Sequence, residues 1–188
     1  MRRVLVPVLV LAWCVSPAMA TSYPPVTLHE LIARADVIFV GEVIDVRPFP
    51  LGTRDGTIVK TRVVFRVTDS LWGTASTLEA FDFLGGEWGD IGLAIAEMPS
   101  FATGDRRIVF ARRDRSINPI VGFTQGLLEI ERDNAGVDRV RTLDGWPLSR
   151  PESIGQAPST AFISPLLPMR LADFRGRINR AIVDTQKR

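Results

Sequence analysis

The chain has 188 residues, 46% of them hydrophobic and 23% charged, with 23 Lys and Arg against 21 Asp and Glu and a single cysteine. That length suits one domain with a sizeable core. A lone cysteine excludes an internal disulfide framework and a multi-cysteine metal site.

Residues 1–20 have the build of a secretory signal peptide. Arg2 and Arg3 form a positive n-region, Val4 to Val15 an apolar h-region, and Ala18-Met19-Ala20 a small-x-small cleavage site. The apolar run is shorter than the roughly 20 residues of a membrane anchor, and Pro7 and Pro17 flank or interrupt it. The bulky Trp13 before Cys14 argues against lipidation. Cleavage between Ala20 and Thr21 is expected, placing the mature protein in the periplasm or outside the cell. Arg2, Arg3 and Cys14 leave with the leader, so the mature chain has equal numbers of basic and acidic residues and no thiol. Such a balance offers nothing to nucleic acid or an anionic membrane. No later stretch is apolar enough to span a bilayer, and a soluble monomer is expected.

Thr27-Leu28-His29-Glu30 fits a capping box, opening a short helix to about Ala35. From Asp36 the pattern becomes extended: VIFVGEVIDV is rich in β-branched residues. A Gly/Pro loop is expected over residues 48–57, then a second strand in TIVKTRVVFRVTDSLWG. There Val59, Thr61, Val63, Phe65 and Val67 are the more apolar alternate set and should face the core. Leu71-Trp72-Gly73 closes it. A third strand is expected over Thr77 to Leu84, a loop over Gly85 to Asp90, and a fourth strand over Arg106 to Arg113. A fifth lies between Ile120 and Arg132, interrupted at Gly122 and Gly126, where a bulge or bend is expected. A last short strand covers Val137 to Thr142.

Residues 144–168, rich in Pro, Ser and Gly, read as a surface loop. A C-terminal helix over residues 169–186 carries Leu171, Phe174, Ile178 and Ile182 on one stripe, which should dock on the body of the protein. The expected fold is mainly β: a small antiparallel OB-type barrel over residues 21–143, with a helix at each end. Composition alone does not separate such a barrel from a sandwich.

Several of these segments together resemble the netrin-like module, the OB-fold domain of the tissue inhibitors of metalloproteinases. They are the short helix, Ala35-Asp36-Val37-Ile38-Phe39 opening a long strand, Val59 to Val67 ending in Leu71-Trp72-Gly73, a Gly-rich patch, and the Gly104 to Phe110 strand. The likeness covers residues 21–132. In those inhibitors the terminal residue exposed by signal cleavage chelates the target's catalytic zinc through its α-amine and carbonyl. The resemblance therefore implies that the Thr21 amine, with Ser22 and Tyr23 beside it, meets a partner's zinc. An α-amino pKa of about 7.7–8.0 leaves part of it deprotonated at neutral pH. The inhibitors fix this terminus with disulfides; here only Pro24-Pro25 and the capped helix are at hand to stiffen it.

His29, the only histidine, stands early in a helix without the partners a zinc site needs. No nucleophile elbow, Walker loop or dinucleotide fingerprint is present. Glu87, Asp90 and Glu97 gather near Gly85-Gly86 with Trp88 between them, a composition open to glycosidase or calcium chemistry and equally to a solvated loop. Gly122-Phe123-Thr124-Gln125-Gly126 fits an amide-lined turn or a bulge. The first choice of binding surface is Thr21, Ser22, Tyr23, Gly85, Gly86, Glu87, Trp88 and Asp90. Glycine permits close backbone approach there, and Trp88 is an anchor type. No cofactor and no resident metal are expected. The function expected is non-catalytic binding of an extracytoplasmic protease or envelope protein; the alternatives are an envelope hydrolase using loop carboxylates and a structural envelope protein.

Overall fold

Thr27 caps the first helix, α1 (Leu28–Arg34). Its hydroxyl accepts the Glu30 amide, and the Glu30 carboxylate accepts the Thr27 amide, the reciprocal cap expected from the sequence. The computed structural model describes residues 24–73, 76–114, 117–156 and 167–186. Residues 1–20, expected to be a signal peptide, and Thr21, Ser22 and Tyr23 lie outside the described residues.

Two long strands follow, β1 (Val37–Thr53) and β2 (Gly56–Trp72). Thr53 pairs with Gly56, so Arg54 and Asp55 alone make the turn. The loop expected over residues 48–57 is therefore mostly strand. Pro48 and Pro50 are accommodated because β1 pairs with a second neighbour only across Val37 to Glu42. Beyond that point it is an edge, where proline is tolerated.

The remaining strands are β3 (Leu78–Leu84), β4 (Gly86–Trp88), β5 (Ile91–Leu93), β6 (Arg106–Ala111), β7 (Leu127–Arg132) and β8 (Asp138–Thr142). Six of them form one antiparallel sheet in the order β3-β2-β1-β6-β7-β8, and β4 and β5 form a separate hairpin. The expected closed barrel is not made by strand pairing. The outer edge of β3 is met instead by the segment after β6: the Leu84 amide donates to the Ile117 carbonyl, and Arg113 forks the buried Glu79 carboxylate. The outer edge of β8 carries bridges to Pro147 and Arg170. The outer edges of β3 and β8 are thus engaged by irregular chain, which blunts strand addition there by another molecule.

Alternation along the strands divides the core. Ile38, Val40, Ile108, Phe110 and Leu128 pack under α1 and under α2 (Leu171–Gln186). Phe174, Ile178 and Ile182 of α2 are buried there, each side chain contributing about 2 kcal/mol of transfer free energy. Val37, Phe39, Val43, Val63 and Phe65 face the other side. That side is aromatic, with Phe39 and Phe65 edge-on at 5.6 Å and Phe101 at 4.8 Å from Phe83. No described helix packs against this second cluster; Met98 and Phe101, from the segment between β5 and β6, do. Leu148 and Ile154 are fully buried, so this part of the expected 144–168 surface loop belongs to the core beneath the helices. Among the described residues no helix is long and apolar enough to cross a membrane.

Candidate functional site

Two consecutive glycines redirect the chain as it leaves β3. Gly85 and Gly86 have φ of +109° and +127°, values that side chains rarely permit. The Gly85 amide donates to the Val59 carbonyl at 2.9 Å, and the Thr61 hydroxyl donates to the Gly85 carbonyl at 2.8 Å. A Cβ on Gly86 would stand 2.5 Å from Thr61 Oγ1. The backbone therefore lies flat against the inner side of β2, and β4 and β5 cross the long hairpin from there.

The stretch expected to be a loop is this short hairpin. Gly89, with φ of +56°, is the first of two turn residues, the place where two-residue hairpins take glycine. Trp88 and Ile91 face each other across the pair and are 47% and 42% exposed. At the base of the hairpin, beside the Gly86–Leu93 pair rather than under Trp88 and Ile91, is a cavity of about 260 Å³ lined chiefly by Phe83, Leu93, Ile95, Met98 and Phe101, with Thr61 and Gly86 at its wall.

Glu87 and Asp90 are exposed on the hairpin, and neither makes an ion pair or hydrogen bond with a described residue. Glu97 is exposed in the turn after β5, with φ of +60°. From Leu84 to Asp105 the chain holds four acidic residues and no basic one. Among the described residues, no group of three or more His, Cys, Asp or Glu is placed to hold a metal ion. His29 is exposed on α1.

The described chain that follows Thr21, Ser22 and Tyr23 is held by a different part of the protein. The Gln125 side-chain amide grips the chain just before α1: its Oε1 accepts the Val26 amide at 2.7 Å and its Nε2 donates to the Pro24 carbonyl at 3.1 Å. Gly155 covers this clamp so closely that a Cβ would lie against Gln125 Oε1 and the Pro25 backbone. The buried Asn118 shapes the loop, accepting the Ile120 amide and donating to the Phe123 carbonyl. Gly122 to Gly126 thus forms a rigid turn, and Gln125 is the working residue that sequence patterning missed. Its only local signal is the pair of glycines around it.

Gly126 packs on Phe110, which pairs with Ile38 of β1. Gly86 packs on Thr61, which pairs with Pro48. The clamp thus borders the start of β1 and the hairpin its far half, and no described residue serves both. The chain matches no protein-family model and no curated protein.

Proposed function

We propose that the protein is an exported, non-catalytic binding module that engages a protein of the envelope or the extracellular space through the β4–β5 hairpin. The observation that carries this is the pair Trp88 and Ile91, large apolar side chains facing each other at the tip of the hairpin and both about half exposed. Tryptophan is the residue type on which interface energy concentrates. The backbone that presents it is fixed in advance by Gly85, Gly86 and Thr61, so less ordering entropy opposes association. Export rests on the leader at residues 1–20. The framework is an OB-type, netrin-like sheet, partly open as that fold allows; the long β1 paired with both β2 and β6 supports this assignment.

A second reading, engagement of an extracytoplasmic metalloprotease by the Thr21 amine, is favoured by the Gln125 clamp. The clamp supplies part of the fixation that disulfides give the inhibitors the chain resembles. Adding one residue before Thr21 should abolish such inhibition, and unchanged inhibition rules amine chelation out.

The hairpin reading is tested by a photo-crosslinking amino acid placed at Ile91 in living cells, with Val183 on α2 as an equally exposed control site. A discrete protein adduct from position 91 alone is expected. Equal adducts from both positions, or none from position 91, contradict it.

A further inference from the structure

We propose a second binding site, independent of the hairpin and at the opposite edge of the sheet: a cleft between β8 and α2 that takes a compact group bearing two or more phosphates. Phe174, Ile178 and Ile182 turn one side of α2 into the core. Arg170, just before the helix, and Asp173, Arg177 and Arg180 recur at helical spacing on the adjoining side, where all four are exposed. Gly176 lies between Asp173 and Arg180 on that side. A Cβ on it would meet only Arg180 Nη1, at 3.9 Å. The helix is therefore notched there, and the notch belongs to a cleft of about 570 Å³ whose other wall includes Arg139 and Ser149. That volume lies within the roughly 300–1,000 Å³ of small-molecule sites.

The bases of this cleft have no acids to pair with. The side chains of Arg170, Arg177 and Arg180 make no ion pair or hydrogen bond with a described residue, and no Asp or Glu occurs outside the described residues. Asp173 is the one acid in the lining, so three free guanidiniums stand against a single carboxylate. The chain's near balance of charge conceals this excess, because acids without bases gather elsewhere, from Leu84 to Asp105. Arg139 is fixed in advance: its Nε donates to Asp133 at 2.8 Å and its Nη1 to the Pro168 carbonyl at 3.1 Å. A guanidinium held in this way loses little further freedom on binding. Arginines on a convex helix are simply solvated; these border a concave space. Guanidinium forks match carboxylate and phosphate oxygens. A carboxylate accepts them in one plane, whereas a phosphate offers oxygens in several directions, which suits arginines arriving from a strand, a loop and a helix. The cleft has room for more than one such group.

Calorimetric titration of the purified protein with pyrophosphate, and with citrate as a carboxylate of similar charge, tests the proposal. One equivalent of pyrophosphate should bind, about tenfold tighter than citrate, and more weakly in about 500 mM salt. Arg177→Gln combined with Arg180→Gln should weaken it about tenfold. Arg175→Gln should leave it unchanged, because Arg175 pairs with Asp69 and does not line the cleft. Gly176→Leu removes no charge and favours the helix, yet fills the notch, so binding should be lost while thermal unfolding stays the same or rises. Should that variant fail to fold, the contrast between the arginine pair and Arg175→Gln decides alone. Vesicles carrying a lipid with a doubly phosphorylated headgroup identify the source: protein that pellets with them and is released by pyrophosphate takes a headgroup, and protein that binds pyrophosphate but stays in the supernatant takes a soluble ligand. Several equivalents of pyrophosphate, equal binding of citrate, an equal loss with Arg175→Gln, binding that survives Gly176→Leu in folded protein, or no binding at all overturns the proposal.

Discussion

Replacing Gly86 with alanine should detach the β4–β5 hairpin from the sheet. The residue sits at φ +127°, a region essentially reserved for glycine, and forcing a side chain there costs about 1–3 kcal/mol. The new Cβ would also stand 2.5 Å from Thr61 Oγ1. Turning that hydroxyl aside breaks its hydrogen bond to the Gly85 carbonyl, worth about 1 kcal/mol more. The expected destabilisation is about 3 kcal/mol, summed from these two effects. Two neighbours calibrate it. Gly89 has φ of +56° but open space around its Cβ position, so alanine there should cost about 1 kcal/mol. Gly92 has ordinary φ and no atom closer than 4.0 Å, so alanine should be neutral or slightly stabilising. Urea unfolding of the three variants measures the series, and hydrogen exchange at the Gly85 amide reports local release of the hairpin if the rest of the sheet survives. If Gly86→Ala unfolds no more readily than Gly92→Ala and the Gly85 amide stays protected, the close backbone approach does not anchor the hairpin.

Other consequences follow from the same contacts. Arg106 grips Asp138 at 2.8 and 2.7 Å and Arg132 adds a contact at 3.1 Å; the Arg106 hydrogen bonds dominate in holding this carboxyl at a pKa of about 2. A value depressed in the folded state stabilises above the unfolded value of about 3.9, and the contribution is lost as pH falls from there through about 2. Asp138→Asn should therefore lower stability at pH 7 by about 1–2 kcal/mol, reduced for the exposure of Arg106, and flatten the acid limb of the curve; parallel curves from pH 7 to 2 contradict this. Gln125→Leu removes both bonds to the segment before α1, at about 1–2 kcal/mol, and should speed exchange of the Val26 amide while the β1–β2 ladder stays protected. Leu148→Ala, in a stretch that looks like surface loop in the sequence, should cost about 2–4 kcal/mol because the side chain is fully buried; a loss below 0.5 kcal/mol, the scale of a surface change, would place it outside the core.

The features legible in the sequence are those whose cause is local. Thr27 and Glu30 lie three residues apart and cap each other. The alternation from Val59 to Phe65 reports its buried face directly. The C-terminal stripe does the same for Phe174 and Ile178. What the sequence hid depends on distant chain. Pro48 and Pro50 read as breakers because nothing local reveals that β1 is an edge beyond Glu42. The hairpin at Gly86 to Leu93 holds too many glycines for a strand pattern and is fixed by Val59 and Thr61, far earlier in the chain. Gln125 acts on residues about a hundred positions away. Strand count suggested a closed barrel, but closure depends on what occupies the edges. Ile117 and Arg113 engage β3, and Pro147 and Arg170 engage β8. At the site, Trp88 and the acids were visible by type, whereas the cavity at the base of the hairpin comes from β3, β5 and the segment before β6.

The most direct test of binding through the hairpin is mass-spectrometric analysis of adducts formed by a photo-crosslinker at Ile91, in cells carrying either Trp88 or Trp88→Ala. The expected result is one dominant protein adduct with Trp88 that is lost with alanine, while the folded protein persists at the same level. An adduct unchanged by Trp88→Ala, or no adduct in the presence of Trp88, contradicts the hairpin as the binding surface.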